Sequence, residues 1–337
     1  MRVLFDHQMP FSLAHGGFQT QIEHSKAGLE QIGVSTNYLR WWEDRQDCDI
    51  LHLFGIAPTV YLDLAAGKHL HVVMTTLFTE TCNRSDSRLR QQRFVTQTFL
   101  RLPFGGGVKQ QLTWRAFQKC ACNVVGLKAE QQVLECVYDV DPAKIAIVPL
   151  GLSDLFLQAG PAIRDETHLI CTGTITERKH SVELAEFAQS TRVPVLFVGK
   201  PYSTSDPYWL RFERLIDNKL VKYQPHVSSI PEMIQLLKRA RGFVIMSQHE
   251  NWCLSAHEAV ACGLPILVPD QKWSRERFGA EAQYFHEDVL RPANAETLRA
   301  FYERCPTLPS PKVRLYNWRE VAAELLAVYR RVASTSR

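Results

Sequence analysis

The stretch SQHENWCLSAHEAVACGLP, residues 247–265, carries two glutamates eight positions apart, Glu250 and Glu258. The apolar run Gly242–Met246 precedes it and predicts a buried strand of a parallel sheet. Residues 256–262 predict a short helix, because a glycine and a proline follow directly. A helix N-terminus presents free backbone N–H groups to an anion, and carboxylates accept sugar hydroxyls. This strand–loop–helix order is the layout expected for a nucleotide diphosphate sugar.

The same stretch resembles the C-terminal signature of the family-four glycosyltransferases of the GT-B fold. That signature has a serine, a glutamate, an aromatic-Gly-Leu step, a second glutamate eight positions on, and then Ala-x-Ala-x-Gly-x-Pro. Cys253 stands where the family commonly has glycine. The complete string is far more specific than either glutamate alone. The matching residues are Ser247, Glu250, Trp252, Leu254, Glu258, Ala259, Ala261, Gly263 and Pro265.

Strand and helix signals alternate along both halves of the chain. Apolar runs such as Asp49–Gly55 and His71–Thr75 predict buried strands, and the spacing in Phe18–Ile32 predicts a helix. The alternation restarts at His168–Gly173. It predicts an α/β fold with doubly wound parallel sheets.

The resemblance implies the GT-B plan, in which two Rossmann-like domains face a cleft. Residues 1–152 would form the acceptor-side domain, and residues 153–337 the domain that binds the nucleotide sugar. A last helix near residues 317–333 would cross back to the first domain.

Length and composition are those of a globular chain with two domains. It has 337 residues, of which 45% are hydrophobic and 22% charged, and its net charge is +4. Its nine cysteines are odd in number and irregularly spaced, so a zinc site is not predicted and a reducing cytoplasm fits best. No window approaches the ~20 apolar residues that a membrane-spanning helix needs.

A glycine-ended strand leads into Gly173-Thr174-Ile175-Thr176-Glu177-Arg178-Lys179. Similar enzymes have Gly-Arg-Leu-x-x-x-Lys there and use the arginine and lysine on the diphosphate. Lys179 falls on the family lysine, Thr174 replaces the arginine, and Arg178 is the candidate to supply the missing charge. The alternative is a solvated basic pair, although cations at a helix N-terminus oppose the helix dipole. The resemblance therefore predicts Glu250, Lys179 and Arg178 as catalytic residues.

The donor would occupy the loop between the two glutamates. The resemblance implies that Glu258 accepts the ribose hydroxyls and that Glu250 lies at the donor sugar. Backbone N–H groups around Trp252, Cys253 and Leu254 would complete the pocket. The alternative is that Glu250 caps a helix and Glu258 is an exposed helix residue, which leaves the rest of the signature unexplained.

A second glycine loop, His15-Gly16-Gly17-Phe18-Gln19, follows the first strand. Gly16 and Gly17 would let backbone N–H groups approach the diphosphate, with a plain tight turn as the alternative. Many relatives also carry a histidine after the strand corresponding to 72–75, but none falls near Leu77-Phe78. Thr76 and Glu80 are candidates for its polar role; His52 is another, although a histidine inside an apolar strand is more often a core residue.

Basic and aromatic residues are interleaved over residues 84–119. Such a mixture is compatible with peripheral contact to an anionic membrane or an anionic acceptor. A solvated helix face over an apolar core explains it equally well and is the favoured interpretation. No nucleic-acid-binding motif accompanies it.

The resemblance implies a retaining glycosyltransferase that transfers a hexosyl group from a nucleotide diphosphate sugar, with UDP or GDP, to a hydroxyl acceptor, and the cysteine usage fits a cytoplasmic protein. The acceptor class extends over glycans, glycolipids and small molecules. The family binds the diphosphate with basic side chains and helix dipoles, so no cofactor and no metal are implied. Two alternatives stay open: a GT-B nucleotide-sugar epimerase, and a non-catalytic GT-B binding or scaffold protein.

Overall fold

The computed structural model describes residues 1–8, 10–12, 16–101 and 113–334. The chain divides into two compact units. The first consists of Met1–Ala14, Phe18–Gly151 and Trp318–Arg337, and the second of His15–Gly17 and Leu152–Asn317. Each unit is built on one parallel sheet of six strands.

The sheet of the first unit has the order β2-β1-β3-β4-β5-β6, with every neighbouring pair parallel. Helices cover both faces of such a sheet, which is why every residue of Ile50–Phe54 and of Cys122–Val125 is buried. The strands are β1 Arg2–His7, β2 Ser35–Tyr38, β3 Ile50–Phe54, β4 His71–Thr75, β5 Cys122–Val125 and β6 Ile145–Ile147.

The helices of the first unit include the last one of the chain. They are α1 Gly17–Gln31, α2 Thr59–Gly67, α3 Asp86–Arg101, α4 Ala116–Lys119, α5 Lys128–Tyr138 and α13 Trp318–Ser334. Helices α1 and α13 approach closely at Gly28, where an added Cβ would lie 2.6 Å from the carbonyl oxygen of Trp318. His24 stacks on the Trp318 ring one turn earlier, with ring centroids 5.2 Å apart. Gly28 is therefore needed for this helix pair.

The sheet of the second unit has the order β12-β11-β10-β7-β8-β9 and is also parallel. The strand order reverses between β7 and β10, and a crevice at the carboxyl ends of such a pair is the usual ligand site of an open α/β sheet. The strands are β7 Leu169–Thr172, β8 Val195–Val198, β9 Val221–Gln224, β10 Gly242–Val244, β11 Ile266–Pro269 and β12 Gln283–Phe285.

Seven α-helices are described in the second unit. They are α6 Asp154–Leu157, α7 Ser181–Thr191, α8 Pro207–Glu213, α9 Ile230–Arg239, α10 Leu254–Ala261, α11 Lys272–Phe278 and α12 Ala293–Arg304. Side-chain caps mark several starts, such as Ser229, whose hydroxyl accepts from the backbone of Glu232, and Asp206, which accepts from Tyr208.

The predicted fold class is confirmed, since both units are α/β with a parallel sheet. Some predicted bounds change: α10 begins at Leu254, two residues before the predicted start at 256, and β10 ends at Val244, two residues before the end of the predicted strand at Met246. Among the residues that the structure describes, no helix combines the length and apolar character needed to cross a membrane.

A buried series of side-chain hydrogen bonds joins α13 to the first sheet. The ring of His52 contacts the Tyr329 hydroxyl through Nδ1 at 2.6 Å and the Thr75 hydroxyl through Nε2 at 2.7 Å. His52 is completely buried, and desolvation lowers its pKa to about 3, so the ring is neutral. A neutral ring has one donor and one acceptor nitrogen, and this contact pair uses both. His52 is thus a satisfied core histidine.

We expect Tyr329→Phe to lower the free energy of unfolding by about 1–3 kcal/mol, because it leaves a buried ring nitrogen of His52 without its partner. Urea unfolding at pH 7 measures the loss. Tyr302→Phe is the matched control, because the Tyr302 hydroxyl makes no hydrogen bond among the described residues. Equal losses of unfolding free energy in the two variants would show that the Tyr329–His52 hydrogen bond does not stabilise the fold.

Candidate functional site

The predicted residues of the second unit gather where β7 and β10 end. The segment Gly173–Lys179 follows β7 and closes in a single 3-10 turn, Glu177–Lys179, before α7 begins at Ser181. The segment 247–253 follows the buried residues after β10 and leads into α10. A backbone bond from Gln248 N–H to the Arg178 carbonyl, 3.0 Å long, ties the two segments together.

Glu250 is the centre of this arrangement. Its Oε1 accepts hydrogen bonds from the Ser247 hydroxyl at 2.9 Å and from Arg178 Nη1 at 3.0 Å, and it also pairs with the Lys179 ammonium. Arg178 Nη1 additionally donates to the carbonyl of His249 at 2.6 Å. The side chain of Glu250 is 9% exposed, that of Lys179 15% and that of Arg178 44%. The three predicted catalytic residues therefore form one cluster with Ser247.

Two opposing effects act on the ionisation of Glu250. Burial raises the pKa of this carboxyl, but the charges of Lys179 and Arg178 and the hydrogen bonds from Lys179 and Ser247 outweigh burial. The net result is a lowered pKa, so Glu250 is an anion at neutral pH.

Gly173, Thr174 and Lys179 come together around a small cavity. Thr172 and Ser181 also line it, and the buried Thr172 hydroxyl makes no hydrogen bond within the described part of the chain. Gly173 has a φ of 149°, which favours glycine. Gly199, which follows the neighbouring strand β8, must also be a glycine, because an added Cβ there would lie 1.9 Å from the carbonyl oxygen of Gly173.

Cys253 adopts a backbone conformation that suits glycine better. Its φ of 57° and ψ of 75° lie in the left-handed region and place it as the N-cap of α10. For a residue with a Cβ this region costs roughly 1–2 kcal/mol. The glycine that is common at this position in the resembled signature thus has a physical reason, and Cys253 adopts a glycine-favouring conformation although it has a side chain. The Leu254 and Ser255 N–H groups make no hydrogen bond among the described residues.

Trp252 lies in a buried stack behind this cap. Its ring packs on His257 at a centroid distance of 5.1 Å and an interplanar angle of 12°, and the Arg277 guanidinium lies 4.0 Å from the Trp252 ring centroid. Arg277 Nε donates to His257 Nε2 at 3.2 Å, and His257 Nδ1 donates to the carbonyl of Cys253 at 3.0 Å. Burial, together with Arg277, lowers the pKa of His257 to about 3.

Glu258 lies on α10, one helical turn after the cap, and is partly exposed. Its carboxylate makes no hydrogen bond or ion pair among the described residues. Desolvation raises its pKa to about 7, so this carboxyl holds its proton more readily near neutral pH than an ordinary glutamate does. An incompletely solvated carboxylate without a partner is available to accept ligand hydroxyls.

The candidates in the first part of the chain are arranged differently. Gly16 has a φ of 140° and α1 begins at Gly17, while His15 lies outside the described residues. Among the substitutes for the absent histidine, Thr76 donates to the Gly55 carbonyl at 3.1 Å, and Glu80 pairs with Arg84. Each of these polar side chains has a partner.

The basic tract is described only in part. Arg93 donates to the Cys136 carbonyl at 2.9 Å and to Asp139 at 3.2 Å. Phe94 and Val95, on the same helix, are 73% and 57% exposed. Its Gly105-Gly106-Gly107 segment and Lys109 lie outside the described residues, and both interpretations of the tract remain predictions.

Sequence reasoning missed two residues of the site, His257 and Arg277. A histidine on the buried side of a short helix was a usable signal for the first. Arg277 lies in the next helix, and its sequence neighbourhood carries no signal. Within the described ranges, no group of three or more His, Cys, Asp or Glu side chains could hold a metal ion.

Comparisons with known proteins agree with this architecture. Residues 157–298 match the family model "Glycosyl transferases group 1". No curated protein matches the chain in a sequence search. Among solved structures, a sucrose-phosphate synthase from Thermosynechococcus elongatus has a TM-score of 0.64 at 14% identity and covers 100% of both chains.

Two further structures are similar over nearly their whole length. A glycosyltransferase from Rickettsia africae has a TM-score of 0.61 at 12% identity and covers 99% of both chains. Anabaena HepE, solved with UDP and glucose, has a TM-score of 0.61 at 11% identity and covers 99% of this chain and 98% of its own. The predicted resemblance is confirmed: the chain has the fold of the GT-B glycosyltransferases, and its second unit matches the group 1 glycosyl transferases.

Proposed function

We propose that this protein is a retaining, metal-independent glycosyltransferase that moves a hexosyl group from a nucleotide diphosphate sugar to a hydroxyl acceptor. The observation that carries the proposal is the buried Glu250 carboxylate, held by Lys179, Arg178 and Ser247 beside the free N-terminus of α10. The group 1 match over this segment and the UDP and glucose in the HepE complex support it.

In this proposal the diphosphate is bound jointly by the cations Lys179 and Arg178 and by the N-terminus of α10. A leaving nucleoside diphosphate gains negative charge as the glycosidic bond breaks, and preorganised positive groups stabilise that charge. Lys179 has three N–H donors, so it can bind a phosphate oxygen while it keeps its contact with Glu250. The Leu254 N–H lies at the positive end of the α10 dipole. Gly173 has no side chain and therefore lets the backbone after β7 come close to the diphosphate.

The two glutamates have separate roles in the proposal. Glu258, whose carboxylate has no hydrogen-bond or ion-pair partner in the described part of the chain, accepts the ribose hydroxyls of the donor. Glu250, whose charge is fixed by its cations, lies beside the donor sugar and stabilises positive character at the anomeric carbon. Retention at that carbon is the stereochemistry of the enzymes that the signature resembles.

A screen of nucleotide sugars by thermal shift tests this function directly. A ligand that binds only the folded state adds about 2.7 kcal/mol at a hundredfold excess over its Kd. We expect a UDP- or GDP-sugar to raise Tm, with no shift from the corresponding free sugar. The proposal is contradicted if no nucleotide sugar and no nucleoside diphosphate raises the Tm of the protein.

One observation favours a second candidate, a nucleotide-sugar-binding protein without transferase activity. Thr76 and Glu80, the candidates for the polar role of the absent family histidine, each already contact another group: Thr76 the Gly55 carbonyl and Glu80 the Arg84 side chain. Such a protein would bind the donor but would neither hydrolyse it nor transfer the sugar. Measuring donor hydrolysis with the nucleotide sugar found in the screen separates the two functions.

We expect Lys179→Ala to weaken binding of the nucleoside diphosphate by about 1.5–3 kcal/mol, the range of a hydrogen bond to a charged group. Arg178→Ala should add to the loss, because it removes the second cation of the cluster. Calorimetry measures both, with the exposed Lys219→Ala as control. Equal affinity in the wild type and the double alanine variant would show that the diphosphate binds elsewhere.

We expect turnover to survive EDTA, since the anion site is built from basic side chains and backbone N–H groups. The measurement is the initial rate with and without the chelator, at saturating donor. Complete loss of activity that magnesium or manganese restores would exclude metal independence.

Glu250→Gln and Glu258→Ala should alter different kinetic constants. Ribose binding is shared by the ground state and the transition state, so Glu258→Ala should raise KM more than it lowers kcat. Glu250→Gln keeps the shape of the side chain and removes its charge, so kcat should fall with nucleotide affinity near that of the wild type. A full kcat for Glu250→Gln, or an unchanged KM for Glu258→Ala, would show that the roles are misassigned.

Nucleotide affinity should also depend on the ionisation of Glu258. Because its pKa is raised to about 7, the carboxylate that accepts ribose hydroxyls is present above this pH and is lost as the pH falls below it. If only the ionised form binds, affinity falls by about tenfold between pH 8 and pH 6. Glu258→Gln should remove this component and keep the part due to the diphosphate itself. Identical pH profiles for the two proteins would refute the assignment.

A further inference from the structure

His257 and Arg277 lie beside Cys253, the N-cap residue of α10, whose backbone is in the left-handed region. Cys253 has a φ of 57°, where relatives have glycine, and it precedes the first residue of α10. Its carbonyl accepts three hydrogen bonds: from Ala256 N–H at 3.1 Å, from His257 N–H at 3.4 Å and from His257 Nδ1 at 3.0 Å. The third, from a side chain, is an additional anchor beyond those that a helix start ordinarily provides.

The hydrogen-bond directions fix the state of the His257 ring. A carbonyl only accepts, so Nδ1 carries the proton. Arginine only donates, so His257 Nε2 is the acceptor of the Arg277 bond. Arg277 thereby selects the neutral tautomer that can hold the Cys253 carbonyl. Arg277 is itself held by its contact over the Trp252 ring and by a bond from Nη2 to the Arg314 carbonyl at 3.2 Å.

An anchored carbonyl also orients the next N–H group. The peptide bond is planar and trans, so the Cys253 carbonyl and the Leu254 N–H point in opposite directions. With the carbonyl fixed toward the helix, the Leu254 N–H points away from the helix at its N-terminus. His257 is 1% exposed and Trp252 2%, so neither side chain is placed to touch a ligand.

We propose that His257, with its tautomer set by Arg277, is a positioning residue that replaces the conformational freedom of the family glycine. It holds Cys253 in the left-handed region and so directs the Leu254 N–H at the donor diphosphate. This inference rests on the proposed function, because the ligand of that N–H is the diphosphate. The link between Cys253 and His257 is a property of the folded chain and can be measured without ligand.

The experiment is a double-mutant cycle of His257→Leu and Cys253→Gly. Leucine removes the hydrogen bond and keeps an apolar side chain, while glycine adopts the left-handed region without help. We expect His257→Leu to weaken UDP binding, or GDP binding if UDP gives no heat, by at least fivefold in calorimetry. The double variant should return to within about twofold of the wild type, because glycine no longer needs the anchor. A role of His257 in packing alone predicts no such rescue.

Arg192→Gly is the matched control for the glycine substitution. Arg192 also has a left-handed φ, of 59°, but it caps the end of α7. It should not restore nucleotide affinity to His257→Leu. Unchanged affinity in His257→Leu, or a double variant as weak as the single one, overturns the inference.

Urea unfolding of the four proteins of the cycle, the wild type, His257→Leu, Cys253→Gly and the double variant, separates this inference from the proposed function. We expect the loss from His257→Leu to be smaller in the Cys253→Gly background. If the wild type binds no nucleotide, the proposed function is refuted. The coupling between His257→Leu and Cys253→Gly in unfolding free energy still tests whether His257 supports the backbone of Cys253. If His257→Leu does not fold, a folded double variant supports the inference, and a double variant that also fails to fold overturns it.

Discussion

The buried carboxylate of Glu250 is the constraint on which the second unit depends. An ionised carboxylate that leaves water loses several kcal/mol of solvation unless charges and hydrogen bonds replace it. Lys179, Arg178 and Ser247 supply that replacement from two segments that are 68 or more residues apart in sequence. The segment after β7 and the segment after β10 are therefore held together by electrostatics as well as by the sheet. Removal of either side leaves an uncompensated charge, so the pairing also fixes the shape of the site.

The α10 cap adds a second constraint of another kind. A left-handed residue with a side chain is unfavourable, and such strain persists where the surroundings over-determine the backbone. Here the surroundings are the stack of Trp252, His257 and Arg277 behind Cys253. The strain and its support lie in the same few residues as the free N–H groups of the helix. A glycine would give the backbone more freedom in the unfolded chain and less definition in the folded one.

Much of the fold follows from sequence because apolar runs and helical spacing are local signals. The apolar run Gly242–Met246 contains β10, and Ile50–Phe54 is apolar apart from His52; every residue of both runs is buried, as expected for central strands. The closeness of Arg178 and Lys179 to Glu250 was implied only by the family resemblance, since no local pattern joins residues about 70 positions apart.

Other features of the site depend on tertiary contacts that sequence does not encode in any short window. The tautomer of His257 is set by Arg277, twenty residues later and in another helix. The ionisation of Glu258 is set by desolvation, which depends on all the surrounding atoms. Cys253 was visible as a departure from the family pattern, but its backbone angles were needed to interpret the departure.

The contact of Gly199 with Gly173 limits how this site can diversify. A side chain at 199 would overlap the carbonyl oxygen at the end of β7, so the two neighbouring strand ends must move together or not at all. Because these strand ends are fixed, we expect differences in ligand preference to arise in the residues after Gly173, beginning with Thr174, the position of the arginine in the resembled motif. Swapping that short segment between related chains is thus compatible with an unaltered sheet, whereas exchanging β8 without β7 is not.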